Sequence, residues 1–256
     1  MNRPASRRGE TKPKLRVFTT TLWEYPSQHY GEGMQGDKNY VGATPGWVIW
    51  QLLQRYTREG DVVVDPMCGS GTTLDVCADL GRKGVGFDLQ PQREGIGLAD
   101  ARELPLESGS ADFFFMDPPY STHIEYSDDP RCIGKLNAGG EDGGVAYYEA
   151  MARTIEQGYR VLKDRRYFAS YVSDSFKKGR PFMPSGVRLW QMMEQLFKPV
   201  DHVCVVRKNA KLARGNWHKA AEEGNYFLRG FNHLLIGKKE KGSYTPPRVP
   251  RLRATE

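Results

Sequence analysis

The sequence predicts an α/β fold, a mostly parallel, doubly wound sheet, on three observations. Residues 61–64 are an apolar, β-branched run suited to a buried parallel strand, and Asp65-Pro66-Met67-Cys68-Gly69-Ser70-Gly71-Thr72 leads from it through glycines into a helix-competent stretch. About twenty residues past the glycines, Gly84–Phe87 repeats the strand signal and ends on Asp88. A third apolar run, Ala111–Met116, ends on Asp117-Pro118-Pro119-Tyr120. Strands alternating with helices in this way bring their carboxyl tips, and any ligand, to one edge of the sheet.

Taken in order, residues 1–18 are polar and basic with Pro4 and Pro13, and are expected to form a flexible arm. No apolar core follows their arginines, so they do not read as a secretory signal. Thr19–Tyr30 reads as a short strand ending at Pro26, its Trp23, Tyr25 and Tyr30 either packing on the core or lining a substrate mouth. Gly31–Asp37 is a mobile glycine-rich loop. Thr44-Pro45 opens a helix by the capping rule, threonine at the cap and proline in the first turn, and it runs to about Tyr56. Helix Thr72–Leu80 stops at Gly81. Asp88 then stands where it either accepts hydrogen bonds from ribose hydroxyls or caps a helix. Gly109 and Ser110 turn the chain into the strand that ends at Asp117.

Residues 121–144, with Tyr126, Asp128, Asp129 and two glycine pairs, form a long excursion read as a lid that orders when substrate binds. Val145–Leu162 has helical periodicity, Arg166–Val172 alternates as a strand, and Pro184–Phe197 is a further helix. His202–Val206 and His233–Ile236 are the last two strands, joined by a link far longer than a hairpin needs.

The glycine loop is not a P-loop, because no Lys-Ser or Lys-Thr follows, and it misses the dinucleotide fingerprint at Leu74, where a third glycine belongs. Gly69 and Gly71 let backbone approach a ligand where a Cβ would intrude. At the other tip, two consecutive prolines remove two backbone donors and stiffen a corner from which the carbonyls of Asp117 and Pro118 project. A carboxylate, a carbonyl and the Tyr120 ring suit a planar group bearing an amine, the oxygens accepting its N–H bonds and the ring stacking on its face. A rigid turn with a surface tyrosine is the plain alternative.

Asp65–Thr72 together with Asp117–Tyr120 resemble motifs I and IV of the S-adenosylmethionine-dependent amino-methyltransferases, which methylate exocyclic nitrogens of adenine or cytosine in DNA. Tyr40-Val41-Gly42-Ala43-Thr44-Pro45, followed by Trp47, Ile49, Trp50, Leu52 and Leu53, resembles their motif X. The resemblance implies a Rossmann-like class I methyltransferase sheet of seven strands with an antiparallel last strand. It implies S-adenosyl-L-methionine as cofactor, held by Thr44, Pro45, Asp65, Pro66, Met67, Cys68, Gly69, Gly71, Thr72, Asp88, Leu89, Asp100 and Ala101. Asp117, Pro118, Pro119 and Tyr120 would act on a base flipped out of the duplex. An initial aspartate is commoner in this family with adenine targets, which favours N6-adenine over N4-cytosine. The competing readings are an RNA guanine-N2 methyltransferase and a nucleic-acid-binding module with an inactive fold.

The length of 256 residues suits one α/β domain, here 19–240, followed by a basic Pro/Arg-rich tail over 241–256. No apolar run is long enough for a membrane span. Cys68, Cys77, Cys132 and Cys204 lack metal-ligand or disulfide spacing, so they read as reduced thiols in a cytoplasmic protein without a metal site, Cys204 as a core residue. The net charge of +6 divides into +5 over residues 1–16, +4 over 207–231, +4 over 238–256 and −7 elsewhere. Within 207–231, Arg207, Lys208, Lys211, Arg214, Lys219 and Arg229 are interleaved with Trp217, His218, Tyr226, Phe227 and Phe231. This is either a target-recognition region, charges tracking phosphates and rings stacking bases, or a basic hairpin covering the sheet edge. DNA is the expected partner and RNA the alternative. The small recognition region points to a homodimer or a separate partner nuclease.

Overall fold

Residues 111–116 are the apolar heart of the sheet because both of their faces are covered. Phe113 and Phe115 join the cluster built around Trp47, Ile49, Leu53 and Val76, whereas Phe114 and Met116 join the opposite one, with Tyr147, Met151, Ile155 and Leu189. The one charge in this strand, Asp112, sits at its amino end and accepts from Val62 N–H at 3.0 Å and Lys163 Nζ at 2.9 Å, with Arg166 Nη2 also at 2.9 Å. Burial alone would raise its pKa, but these partners outweigh burial and hold the carboxyl below its ordinary range.

The structure, a computed structural model, describes residues 12–176, 181–207, 212, 214–242 and 244–246. The elements are β1 Leu22–Trp23, α1 Gly46–Tyr56, β2 Val62–Asp65, α2 Thr72–Asp79, β3 Lys83–Asp88, β4 Ile96–Leu98, β5 Ala111–Met116, α3 Val145–Val161, β6 Leu162–Val172, α4 Ser185–Met193, β7 Lys198–Val206, α5 Gly215–Glu223 and β8 Phe231–Lys238. They make one sheet in the order β1-β7-β8-β6-β5-β2-β3-β4. Every pairing is parallel except those of β8, which runs antiparallel to both β6 and β7. This is the class I methyltransferase arrangement, with β8 as the antiparallel last strand. Among the described residues the sheet has eight strands and not seven: the two-residue β1 adds parallel to the edge of β7. Strand β4 gave no signal in the sequence, because three residues are too few for a period.

Four expectations need correction. Thr44 does not cap α1; Pro45 is the N-cap residue with no side-chain bond, and the threonine hydroxyl is used elsewhere. The described part of the basic arm is tied down: Gln51 Oε1 accepts from Phe18 N–H at 2.9 Å, and the Phe18 ring meets Trp23 and Trp47 edge-on. Residues 121–144 are folded onto the body, with Ser127, Cys132, Ile133 and Ala138 buried and a 3₁₀ turn over Ile133–Lys135. Cys204 is only partly buried, and all four cysteines are free thiols. Trp23 and Tyr25 belong to the core, which resolves the choice left open for those rings. No helix among the described residues is long and apolar enough to cross a membrane.

Candidate active site

The first strand tip is stapled by its own side chain. Asp65 Oδ1 accepts from Met67 N–H at 3.1 Å and Oδ2 from the Thr73 hydroxyl at 2.5 Å, which fixes the turn between β2 and α2. Burial pushes the Asp65 carboxyl up to about 7 against these two bonds. Gly69 has φ +49°, and a Cβ there would lie 2.8 Å from Tyr40 Oη and 2.9 Å from its ring, so both conformation and space demand glycine. Gly69 N–H donates to Asp88 Oδ2 and Gln90 N–H to Asp88 Oδ1, each at 2.9 Å. One carboxylate thus clips the glycine loop to the tip of β3 and retains lone pairs for a ligand.

The second tip is held from three directions. The Thr44 hydroxyl donates to Asp117 Oδ2, and the Tyr120 hydroxyl donates to Oδ1 at 2.7 Å. Tyr147, on α3, donates its hydroxyl to Pro119 O at 2.8 Å and so braces the proline corner from beneath. Burial raises the Asp117 carboxyl to about 7, even though the Thr44 and Tyr120 bonds pull the other way.

Both tips face one open pocket of about 810 Å³, solvent at its mouth included, within the size range of small-molecule sites. Of the residues singled out in the sequence, Thr44, Asp65, Pro66, Met67, Cys68, Gly69, Thr72, Asp88, Leu89, Asp100, Ala101, Asp117 and Pro119 line it. Pro45, Gly71, Pro118 and Tyr120 do not. Gly71 begins α2 with φ +83°, Pro118 is buried, and the Tyr120 ring packs toward the α3 side. Tyr120 therefore does not present a free stacking face in this structure. Asp100 is engaged by Arg102 through bonds of 2.9 and 2.6 Å, and Arg102 Nη2 also donates to Arg131 O, which ties residues 129–132 to the pocket rim.

Sequence reasoning missed Tyr40, Thr73, Tyr126, Cys132 and Ile133. Tyr40 and Tyr126 lie with ring centroids 6.2 Å apart and roof the pocket from two segments far apart in the chain. Tyr40 was within reach as the first residue of the Tyr40–Pro45 motif. The other four have no local pattern that distinguishes them.

Among its described residues, the basic stretch 207–231 contains helix α5 and the start of β8. Helix α5 carries Trp217 and Lys219 on an exposed surface, where Lys219 lies 3.7 Å from Glu223, and Arg214 is its N-cap residue. Arg207 turns inward, donating to Ser173 Oγ at 3.0 Å. Arg229 stacks over the Phe182 ring at 5.1 Å. Lys208 and Lys211 lie outside the described residues.

A family model described as DNA methylase matches residues 2–97. The chain is 32% identical over 83 residues to the type II methyltransferase M.HpaI of Haemophilus parainfluenzae, across 32% of this chain and 25% of that protein. It is 29% identical over 98 residues to M.MthZI of Methanothermobacter thermautotrophicus, across 34% and 28% of the two chains. These matches span less than a third of the relatives' own length. Among solved structures, the [4+2]-cyclase SpnF aligns with a TM-score of 0.50 at 13% identity, over 83% of this chain and 89% of that one, a likeness of fold.

Proposed function

We propose, from the chain's similarity to the S-adenosylmethionine-dependent DNA amino-methyltransferases, that it methylates the exocyclic amine of a base flipped out of DNA, N6 of adenine in preference to N4 of cytosine. The observation that carries this reading is the shared pocket: a glycine-lined tip clipped by Asp88 and a carboxylate corner at Asp117 open into the same space.

The residues present fit the cofactor. Gly69 leaves a cradle that a Cβ would fill, and the Asp88 carboxylate at the β3 tip suits a pair of ribose hydroxyls. Asp65 through Ser70, Thr72, Asp88 and Leu89, and Asp100 with Ala101 would hold it, Thr44 standing at the side nearest Asp117. When bound, S-adenosyl-L-methionine supplies an electrophilic methyl group on a sulfonium.

Asp117 does the work on the acceptor. An exocyclic amine is a poor nucleophile because its lone pair is delocalised into the ring, and hydrogen bonds from its N–H groups to the Asp117 carboxylate favour a tetrahedral nitrogen with an aimed lone pair. This is positioning plus stabilisation of developing positive charge. Both Asp117 oxygens already accept one bond, so the amine uses their remaining lone pairs or displaces the Tyr120 hydroxyl, freeing that ring to stack. The preference for adenine rests on aspartate at the first position of the corner. DNA would be engaged in the cytoplasm by the 207–231 region, with a second copy or a separate nuclease as partner.

The test is to incubate the protein with labelled cofactor and parallel DNA and RNA pools, then digest to nucleosides. Label is expected in N6-methyldeoxyadenosine. Label in N4-methyldeoxycytidine would move the target base, and label in RNA guanine, or none, would overturn the proposal.

A further inference from the structure

Beside the Asp117 corner, two segments distant in sequence are locked together by rings. The loop after β6 places Ser175 in a two-bond bridge with Met183, and the Ser175 hydroxyl donates to Tyr120 O at 3.4 Å, so this loop adjoins the target-base corner. The Phe176 ring stacks on Tyr226 with centroids 4.9 Å apart and an interplanar angle of 22°, and Phe182 lies beneath the Arg229 guanidinium. Arg229 also donates to Phe227 O and Arg207 N–H to Gly230 O at 2.9 Å, while Tyr226 N–H donates to Ala221 O at 3.0 Å, which fixes the backbone on both sides of Phe227. Phe227 itself is 86% exposed, and Phe182, under Arg229, and Phe231, at the start of β8, are 47% and 41% exposed.

A phenyl ring held out in water on a braced loop, next to arginines and a site meant for an extruded base, is matched by one kind of partner. Flipping a base leaves a gap of one ring's thickness in an otherwise continuous stack, with phosphates on either side of it. Apolar side chains are known to enter base steps in this manner, and guanidinium groups neutralise the flanking phosphates.

We propose that residues 173–176, 181–184 and 224–231 form one aromatic wall against duplex DNA, and that Phe227 enters the base stack at the place the target base has left. The proposal rests on the reading of the chain as a methyltransferase of flipped DNA bases, and it adds the second loop and a specific ring to it. Phe227 acts here as a positioning residue, stabilising the opened duplex and touching neither the methyl donor nor the reacting amine.

The test uses the full chain and the site that the wild-type protein labels on unmethylated genomic DNA. Two duplexes carrying that site are compared, one with the target base paired and one with it opposite an abasic position, where no pair has to be broken. Phe227→Ala is expected to lose about tenfold or more in kcat/KM on the paired duplex and less than about twofold on the abasic one. Cofactor binding and Tm should stay at the wild-type values, and Phe227→Trp should restore the paired reaction. Equal activity of Phe227→Ala and wild type on the paired duplex overturns the proposal, as does an equal loss on both duplexes, the mark of a plain surface contact. Wild-type protein that labels no DNA at all overturns the underlying reading instead.

Discussion

The two sides of the pocket are made differently. On the side proposed for the cofactor, the Asp65 and Asp88 carboxylates accept from the backbone N–H groups of Met67, Gly69 and Gln90, none more than 19 residues from its acceptor. On the side proposed for the base, the Asp117 carboxylate is held by Thr44, 73 residues away, while Tyr147 and Ser175 brace the corner from other elements. A cradle of backbone donors can be written in one short motif. A half-buried carboxylate that must accept hydrogen bonds needs side chains delivered by the whole fold.

The sharpest way to break this comparison is to remove the carboxylate. Asp117→Ala should lose about a hundredfold or more in turnover, roughly 2.7 kcal/mol of transition-state stabilisation. Cofactor affinity, read by calorimetry, should be unchanged. A parallel loss of affinity would mean that the two sides are one unit. The complementary change, Asp88→Ala, removes charge-assisted bonds worth about 1.5–3 kcal/mol each and leaves Gly69 N–H without its acceptor, so cofactor Kd should rise about tenfold to a hundredfold. Turnover at saturating cofactor should survive.

This asymmetry also decides what the sequence could disclose. The β2, α2 and β3 elements and the Gly69–Asp88 relation were legible because strand period, glycine position and the terminal aspartate all lie within one short stretch. The corner was legible in identity, through Asp117-Pro118-Pro119-Tyr120, but not in arrangement. Nothing local tells that Tyr120 folds toward α3 or that Thr44 leaves its helix to reach Asp117. A threonine before a proline satisfies the capping rule equally well, and tertiary demand for a donor at the half-buried carboxylate overrode it. Residues 121–144 read as a loose lid because they lack periodicity, yet burial of scattered side chains such as Cys132 and Ile133 orders them without any repeat.

Protonation offers a finer probe of the base side. Asp117 stands at about 7 in the folded chain against 3.8 for an ordinary carboxylate, so between those values the folded state binds more protons than the unfolded one. Its contribution to stability is therefore fully present below about pH 4 and is lost as pH rises through about 7. Subtracting the denaturation profile of Asp117→Asn from that of the wild type should isolate this fall. Activity should run the other way, because only the ionised carboxylate accepts from the amine without a competing proton. kcat/KM should climb about tenfold from pH 6 to pH 8, and a flat profile would show that the carboxylate is already ionised across that range.

Thr44 gives the smallest and most discriminating effect. Its hydroxyl lowers the pKa of Asp117, as does that of Tyr120, and Asp65, the Arg207 charge and the hydroxyls of Tyr40, Tyr126, Tyr147 and Tyr171 also surround the group. Thr44→Val keeps the shape and removes the donor, so the acid limb of the kcat/KM profile should move to higher pH. Activity at pH 7 should fall severalfold, on the scale of one hydrogen bond to a charged group, and recover toward wild type at pH 9. Thr44→Ser should return the limb to its place. Were Thr44 instead a ligand of the cofactor alone, as its motif suggests, the valine variant would raise cofactor Kd and leave the pH limb fixed. The threonine would then belong to the cofactor side, and the base side would lose the only one of its braces that comes from the segment leading into α1.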